Sequence, residues 1–86
     1  MQVPKLRVLV EAGAVRQVEA IPEAGGWVVW ITHATRHGAR REALDRQRGG
    51  VRVFATLDAV ARALAGLGLP AFRVDAAGLA GADEPP

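Results

Sequence analysis

The sequence predicts an α+β fold: a mixed, mainly antiparallel sheet of four to five strands, with one helix packed on one face. Three observations support this prediction. Several short segments alternate apolar and polar residues, as strands with one buried face do. One segment, 56–67, has apolar residues at helical spacing behind a threonine suited to cap a helix. With 86 residues the chain has room for a single hydrophobic core, so residues 1–75 are expected to form one domain with the order β-β-β-(β)-β-α-β.

Three strands are predicted in the first part of the chain, at 5–10, 15–21 and 26–32. In the first, KLRVLV, Leu6 and Val8 fall on one face of a strand. The glycine pair before the third suits a hairpin loop that joins it to the second. The third, GWVVWIT, is apolar on both faces, so we expect it at the centre of the sheet, or covered on one face by a helix or a partner.

The middle of the chain has a weaker pattern. Residues 33–41 are polar, basic and interrupted by Gly38, which predicts a loop or an irregular hairpin tip. Residues 42–48 contain one large apolar residue, Leu44, and fit either a short edge strand or a frayed helical turn; the strand is favoured. The glycine pair at 49–50 predicts a second turn.

A helix is predicted over 57–67. Thr56 is placed to accept a hydrogen bond from the first helical turn, and Asp58 complements the positive end of the helix. Asp58 and Arg62 are spaced for an acid–base pair on the exposed side. Two glycines and a proline after residue 65 predict where the helix ends.

Strands are predicted on both sides of this helix, at 51–55 and 71–74. Because one helix joins them, we expect them to run parallel through a right-handed crossover. Residues 76–86 hold small residues, two acids and terminal prolines, which predicts a disordered tail.

The residue inventory narrows the function classes. The chain has no cysteine, so it can form neither a disulfide nor a thiolate metal site, and it has no serine or tyrosine, which argues against a nucleophilic enzyme. His33 and His37 lie four residues apart, without the further ligands that zinc needs. We therefore expect no enzymatic activity, no metal and no cofactor. No apolar run approaches the roughly 20 residues that span a bilayer, so the expected setting is the cytoplasm, without membrane contact.

Arginines are concentrated between residues 36 and 52. Set against Glu42 and Asp45, they give this segment a net charge of +4. Arginine binds phosphate bidentately, so the segment is a candidate contact for nucleic acid or for a partner. The alternative is a solvated basic loop, and the lack of interleaved aromatic residues favours it. The candidate contact residues are Arg36, Arg40, Arg41, Arg46, Arg48 and Arg52.

Trp27 and Trp30 fall on opposite faces of the third predicted strand. One is expected in the core, and the other is a candidate stacking platform, dimer contact or cover for the sheet. The dimer contact is favoured, because large exposed aromatic residues mark interfaces. A homodimer would also let two small cores be pooled.

A set of motifs between residues 6 and 78 carries a family resemblance: a glycine–tryptophan strand at 26–27, R-x-F at 52–54, T-L-D at 56–58, L-G-L at 67–69 and F-x-V-D at 72–75. With these motifs the chain resembles the small ParC-type partition-associated proteins of proteobacteria. These are also described as plasmid replication or partition related proteins and occur on plasmids and integrated mobile elements. The resemblance implies a non-enzymatic accessory in the maintenance of mobile DNA, with partition proteins or DNA as partners and no catalytic residue.

Two functional expectations follow. The first is an interaction module that acts through protein–protein contacts, with a homodimer as one candidate assembly. The alternative is a nucleic-acid-binding module that uses residues 36–52.

Overall fold

A computed structural model of the chain describes residues 1–79, which form two helices and a four-stranded sheet. The predicted α+β class and the mixed, mainly antiparallel sheet are confirmed. In chain order the elements are α1 (Val3–Glu11), β1 (Val15–Glu23), β2 (Gly26–Thr35), β3 (Gly38–Ala43), α2 (Leu57–Gly66) and β4 (Arg73–Val74), followed by a 3₁₀ turn at Ala77–Leu79. The tail predicted for 76–86 lies outside the described residues from residue 80 onward.

The strands are arranged in the order β3-β2-β1-β4. β2 pairs antiparallel with β1 and with β3, so it is central, as predicted, and β4 runs parallel to β1. Both helices pack on the same face of this sheet, because their buried residues join one cluster with alternate residues of β1 and β2. The largest fully buried members of that cluster are Leu6, Val29, Ile31, Leu44, Val60 and Leu64.

The first predicted strand, 5–10, is wrong: this segment is the greater part of helix α1. Leu6 is fully buried and Leu9 and Val10 are half-buried, which is the i, i+3, i+4 pattern of a helix. Val8, which a strand would have placed beside Leu6, is 64% exposed. A proline in the first turn is compatible with a helix start, because its missing N–H has no partner there in any case.

Residues 33–41, predicted as a loop or an irregular hairpin tip, contain a hairpin, but the loop is confined to its two-residue turn and the rest is strand. β2 continues to Thr35, and β3 begins at Gly38 after a two-residue turn. Gly38 has a φ of +138°, which side-chain-bearing residues rarely adopt, so the glycine that suggested a loop instead allows a tight hairpin. The strand favoured for 42–48 is present only at its first two residues.

The strand predicted at 51–55 is wrong as well. This segment makes only two isolated bridges, one of them between Phe54 and Trp27. The edge of β2 that it could have joined is occupied by β3 from Trp30 onward, so Phe54 reaches β2 only at its start, through reciprocal backbone hydrogen bonds of 2.8 Å with Trp27. β4, which covers only the last two residues of the strand predicted at 71–74, pairs with β1. The expected parallel crossover is not formed, because its first strand, 51–55, is absent.

The predicted helix is present as α2. The Thr56 hydroxyl accepts a hydrogen bond of 3.1 Å from the Ala59 N–H, as a cap should. Gly68 follows the helix with a φ of +83°. The expected pair between Asp58 and Arg62 is not among the ion pairs of residues 1–79; Arg62 lines a groove beside α1 instead.

Candidate interaction surfaces

One face of the sheet is left without a helix by residues 1–79. Because opposed residues in a sheet share a face, the register of the strands assigns the side chains of this surface. We call it the open face and define it by Glu19, Ile21 and Glu23 of β1, Val28, Trp30 and Thr32 of β2, Arg41 of β3 and Arg73 of β4.

Trp30 is held in place at the centre of the open face. Its indole Nε1 donates a hydrogen bond of 3.0 Å to the Glu23 carboxylate. The Arg41 guanidinium lies 4.3 Å from the centroid of the Trp30 ring, and its Nε is 3.5 Å from Glu19. Three strands therefore fix one half-buried tryptophan, whose ring remains partly accessible to a partner.

The two tryptophans lie on opposite faces, as predicted. Trp27 is half-buried against the core on the helix side, where Phe54 bonds to its backbone. Trp30 lies on the open face, so Trp30 rather than Trp27 is the candidate for contact with another molecule. A dimer contact at Trp30 remains a prediction.

The six candidate arginines do not form one patch. Arg40 and Arg41 are neighbours in β3 and point to opposite faces, because side chains alternate along a strand. Arg46 folds back on its own loop, where its Nε donates to the Gly49 carbonyl at 3.2 Å. The guanidinium of Arg52 lies 4.3 Å from the Phe54 ring centroid.

The remaining two arginines lie at opposite ends of β3. Arg36 is in the turn before this strand, and Arg48 is in the loop after it; both are exposed. At about 3.3 Å per extended residue, the six residues of β3 between them span about 20 Å. A single compact ligand cannot contact both ends, although a long one can.

A cluster of ionisable groups joins α1 to the sheet on the helix side. Glu42 accepts hydrogen bonds from Lys5 Nζ at 2.9 Å and from His33 Nε2 at 2.6 Å, and Arg40 Nε lies 3.9 Å away. The hydrogen bond from Lys5, followed by that from His33, lowers the pKa of Glu42 from 4.5 to about 2. His33, predicted in a loop, is in β2 and only 5% exposed.

This cluster joins three elements of the fold, because Lys5 lies in α1, His33 in β2 and Glu42 in β3. Threonine is the chain's only side-chain hydroxyl, and the nearest in sequence to His33, Thr32, points to the open face. Within residues 1–79, no three His, Cys, Asp or Glu side chains are grouped as a metal site requires. The cluster is best explained as a link between α1 and the sheet.

A third surface was missed by the sequence analysis. Arg7 of α1, Arg52 before α2 and Arg62 of α2 line one groove between the helices, with a volume of about 300 Å³. No carboxylate lines this groove, and none of the three arginines is in an ion pair within the described part of the chain. The sequence pattern did not indicate this surface. Arg7 was predicted in a strand, and Arg62 was predicted to pair with Asp58, so the two arginines were not expected to lie together.

Comparison of the chain with protein-family models, with curated proteins and with solved structures gives no match. In the part of the chain that the structure describes, no helix has the length and apolar character needed to cross a membrane.

Proposed function

We propose that this chain is a non-enzymatic interaction module that resembles plasmid or mobile-element partition-associated proteins and contacts a protein partner through the open face. The observation that carries the proposal is the fixed position of Trp30 between Arg41 and Glu23. Tryptophan and arginine are enriched among the residues that dominate interface energies. A side chain that is already ordered loses less entropy on binding.

The partner that best fits this surface is a second copy of the chain. Glu19 and Glu23 lie on β1, with Arg41 and Arg73 on strands to either side. In a two-fold arrangement the same patch meets itself, so the acidic strand of one copy can face the arginines of the other. Contact with a partition protein is the other outcome of the test below.

The size of the surface predicts a weak association. β1 and β2 have 9 and 10 residues, and thus extend about 30 Å. Four strands at about 4.8 Å spacing give a width of about 15 Å, and hence about 450 Å² per copy. Stable complexes bury about 800 Å² per partner. The expected dimer is therefore transient, with a Kd in the micromolar range or above.

The test is sedimentation velocity across a concentration series, with variants that reverse charge on the open face. Glu19→Arg and Arg41→Glu should each weaken the dimer. The first places two arginines, and the second two glutamates, at positions 19 and 41, both within one copy and across the interface. The double variant restores both sets of pairs, so it should recover most of the association. Trp30→Thr should abolish association, and Val8→Ala, on exposed α1 surface, is the control that should not.

Two results would overturn the proposal in different ways. A wild-type chain that stays monomeric at millimolar concentration excludes the second copy as partner. If the partner is instead a partition protein, Trp30→Thr should weaken that complex and Val8→Ala should not. A complex of either kind that is unaffected by Trp30→Thr would exclude the open face itself.

A second candidate function, direct contact with nucleic acid, is favoured by the placement of the exposed arginines. Arg36 and Arg48 are both exposed and lie beyond opposite ends of β3, which spans about 20 Å, so a nucleic-acid backbone is long enough to contact both. Random duplex DNA should then bind at low salt and dissociate steeply as salt rises. Alanine at Arg36 and Arg48 should weaken this binding, and undetectable binding at low ionic strength would exclude it.

A further inference from the structure

We infer that the groove between α1 and α2 is a binding site for the phosphate group of a nucleotide. Arg7, Arg52 and Arg62 all line this groove, and no carboxylate is among its lining residues. Guanidinium is planar, always charged and matched to phosphate oxygens.

The three arginines are held by independent parts of the fold. α1 supplies Arg7, and α2 supplies Arg62. Arg52 is the most constrained, because its guanidinium lies over the buried ring of Phe54 and its backbone N–H donates to the Leu44 carbonyl at 3.0 Å. The fold therefore fixes the backbone positions of all three arginines before a ligand arrives, and it also restrains the side chain of Arg52.

A neighbouring groove indicates what the phosphate is attached to. It has a volume of about 520 Å³ and shares Val3 and Arg52 with the arginine groove, and this volume is in the range of small-molecule sites. Its other lining residues are Pro4, the acidic Asp45, and two glutamines, Gln2 and Gln47.

This lining suits a nucleobase better than a second phosphate. Asp45 lies 3.2 Å from the N-terminal ammonium and pairs with it, so Arg52 is the cation among the described lining residues that can attract an anion. Val3 and Pro4 offer an apolar surface to a flat ring, and glutamine amides hydrogen-bond to base edges. A nucleotide would therefore place its phosphate against the arginines and its base against the glutamines. The phosphate can come from a free nucleotide or from a nucleic-acid strand.

The test is a titration of the full chain at low ionic strength, followed by NMR amide shifts or calorimetry. The probes are inorganic phosphate, AMP and a 12-nucleotide single strand of DNA. Arg62→Gln should weaken AMP binding about tenfold, the cost of one charge-assisted hydrogen bond. Arg16→Gln removes the same charge from an exposed position in β1 outside both grooves and is the matched control. Thermal melts of each variant establish that it is folded.

A further variant separates the two grooves. Gln47→Ala should weaken AMP binding and leave the binding of inorganic phosphate unchanged. If the strand binds more tightly than AMP and its affinity falls steeply with salt, the natural source is a nucleic acid; if AMP binds at least as tightly, it is a free nucleotide. The inference is overturned if AMP at millimolar concentration does not bind, or if Arg16→Gln weakens AMP binding as much as Arg62→Gln does.

Discussion

Replacing Glu42 with glutamine should destabilise the fold and should change how its stability depends on pH. Glu42 connects Lys5 of α1 and His33 of β2 through a single carboxylate. Glutamine has nearly the same shape and can still hydrogen-bond to His33, so the substitution removes the charge with little change in packing. The expected loss of folding stability is therefore the electrostatic contribution of Glu42 to the contact between α1 and the sheet.

The lowered pKa of Glu42 sets the size of this effect. A tenfold change in proton affinity is worth about 1.4 kcal/mol, so a fall in the pKa from 4.5 to about 2 corresponds to at most about 3.5 kcal/mol. The Lys5 side chain is 50% exposed and that of Glu42 18%, and solvent screens such a pair. We expect Glu42→Gln to lower the free energy of unfolding by about 1–2 kcal/mol at pH 7, or the Tm by about 4–16 °C in a domain of this size.

The sign of the pH dependence follows from the direction of the pKa change. A carboxyl group whose pKa is lower in the folded state stabilises the fold at pH values above its unfolded pKa. For Glu42 this contribution is complete above about pH 4.5 and is lost as the pH falls toward about 2. The difference in stability between wild type and Glu42→Gln should therefore be largest at neutral pH and disappear in strong acid.

Urea unfolding between pH 7 and pH 2, followed by circular dichroism, measures this difference. Urea is preferred to guanidinium chloride, a salt that would screen the pair under study. Glu11→Gln, an exposed position at the end of α1, is the matched control and should change stability by less than about 0.5 kcal/mol. In a double-mutant cycle, Lys5→Met should cost less in the Glu42→Gln background than in wild type. A difference between wild type and Glu42→Gln that stays constant across this pH range would refute the assigned role of the charge.

Three further changes test the packing of the fold by thermal and urea unfolding. Thr56→Ala should cost about 1 kcal/mol by removing the helix cap, and Thr56→Ser should recover most of it; equal melting of all three chains would contradict the cap. Leu64→Ala should cost about 2–5 kcal/mol because Leu64 is fully buried; a loss under 1 kcal/mol would place α2 outside the core. Gly26→Ala should destabilise because its Cβ would overlap the Phe54 carbonyl, whereas the Cβ of Gly66→Ala meets nothing and should not; the reverse order would contradict this packing.

The sequence was most informative where local and long-range preferences agree. Thr56 caps a helix whose apolar stripe faces the core, so one segment meets both requirements and the prediction of α2 is correct. The segment 26–32 is apolar on both faces, and a central strand is the element that accepts such a pattern. In both segments, few other secondary structures would bury the apolar residues and also suit the local sequence.

The errors arose where the structure depends on which neighbour is available. A six-residue run such as KLRVLV fits both the two-residue period of a strand and the 3.6-residue period of a helix. The helix is selected because it packs Leu6 into the core. The segment 51–55 alternates as a strand should, but strand pairing needs a vacant edge and β3 occupies the one beside it. Edge occupancy is a property of the whole sheet, so no local pattern in 51–55 could have indicated it.

The basic segment shows the same limit for function. Its charge was read as one patch, yet Arg40 and Arg41 lie on opposite faces and each meets a glutamate, Glu42 or Glu19, on its own face. The sheet thus partly neutralises the centre of the segment. The less compensated positive charge is in the groove of Arg7, Arg52 and Arg62, which draws only one arginine from the segment. Since an anion gains most where arginines converge without acids, the α1–α2 groove is a better candidate for phosphate than the segment that first drew attention.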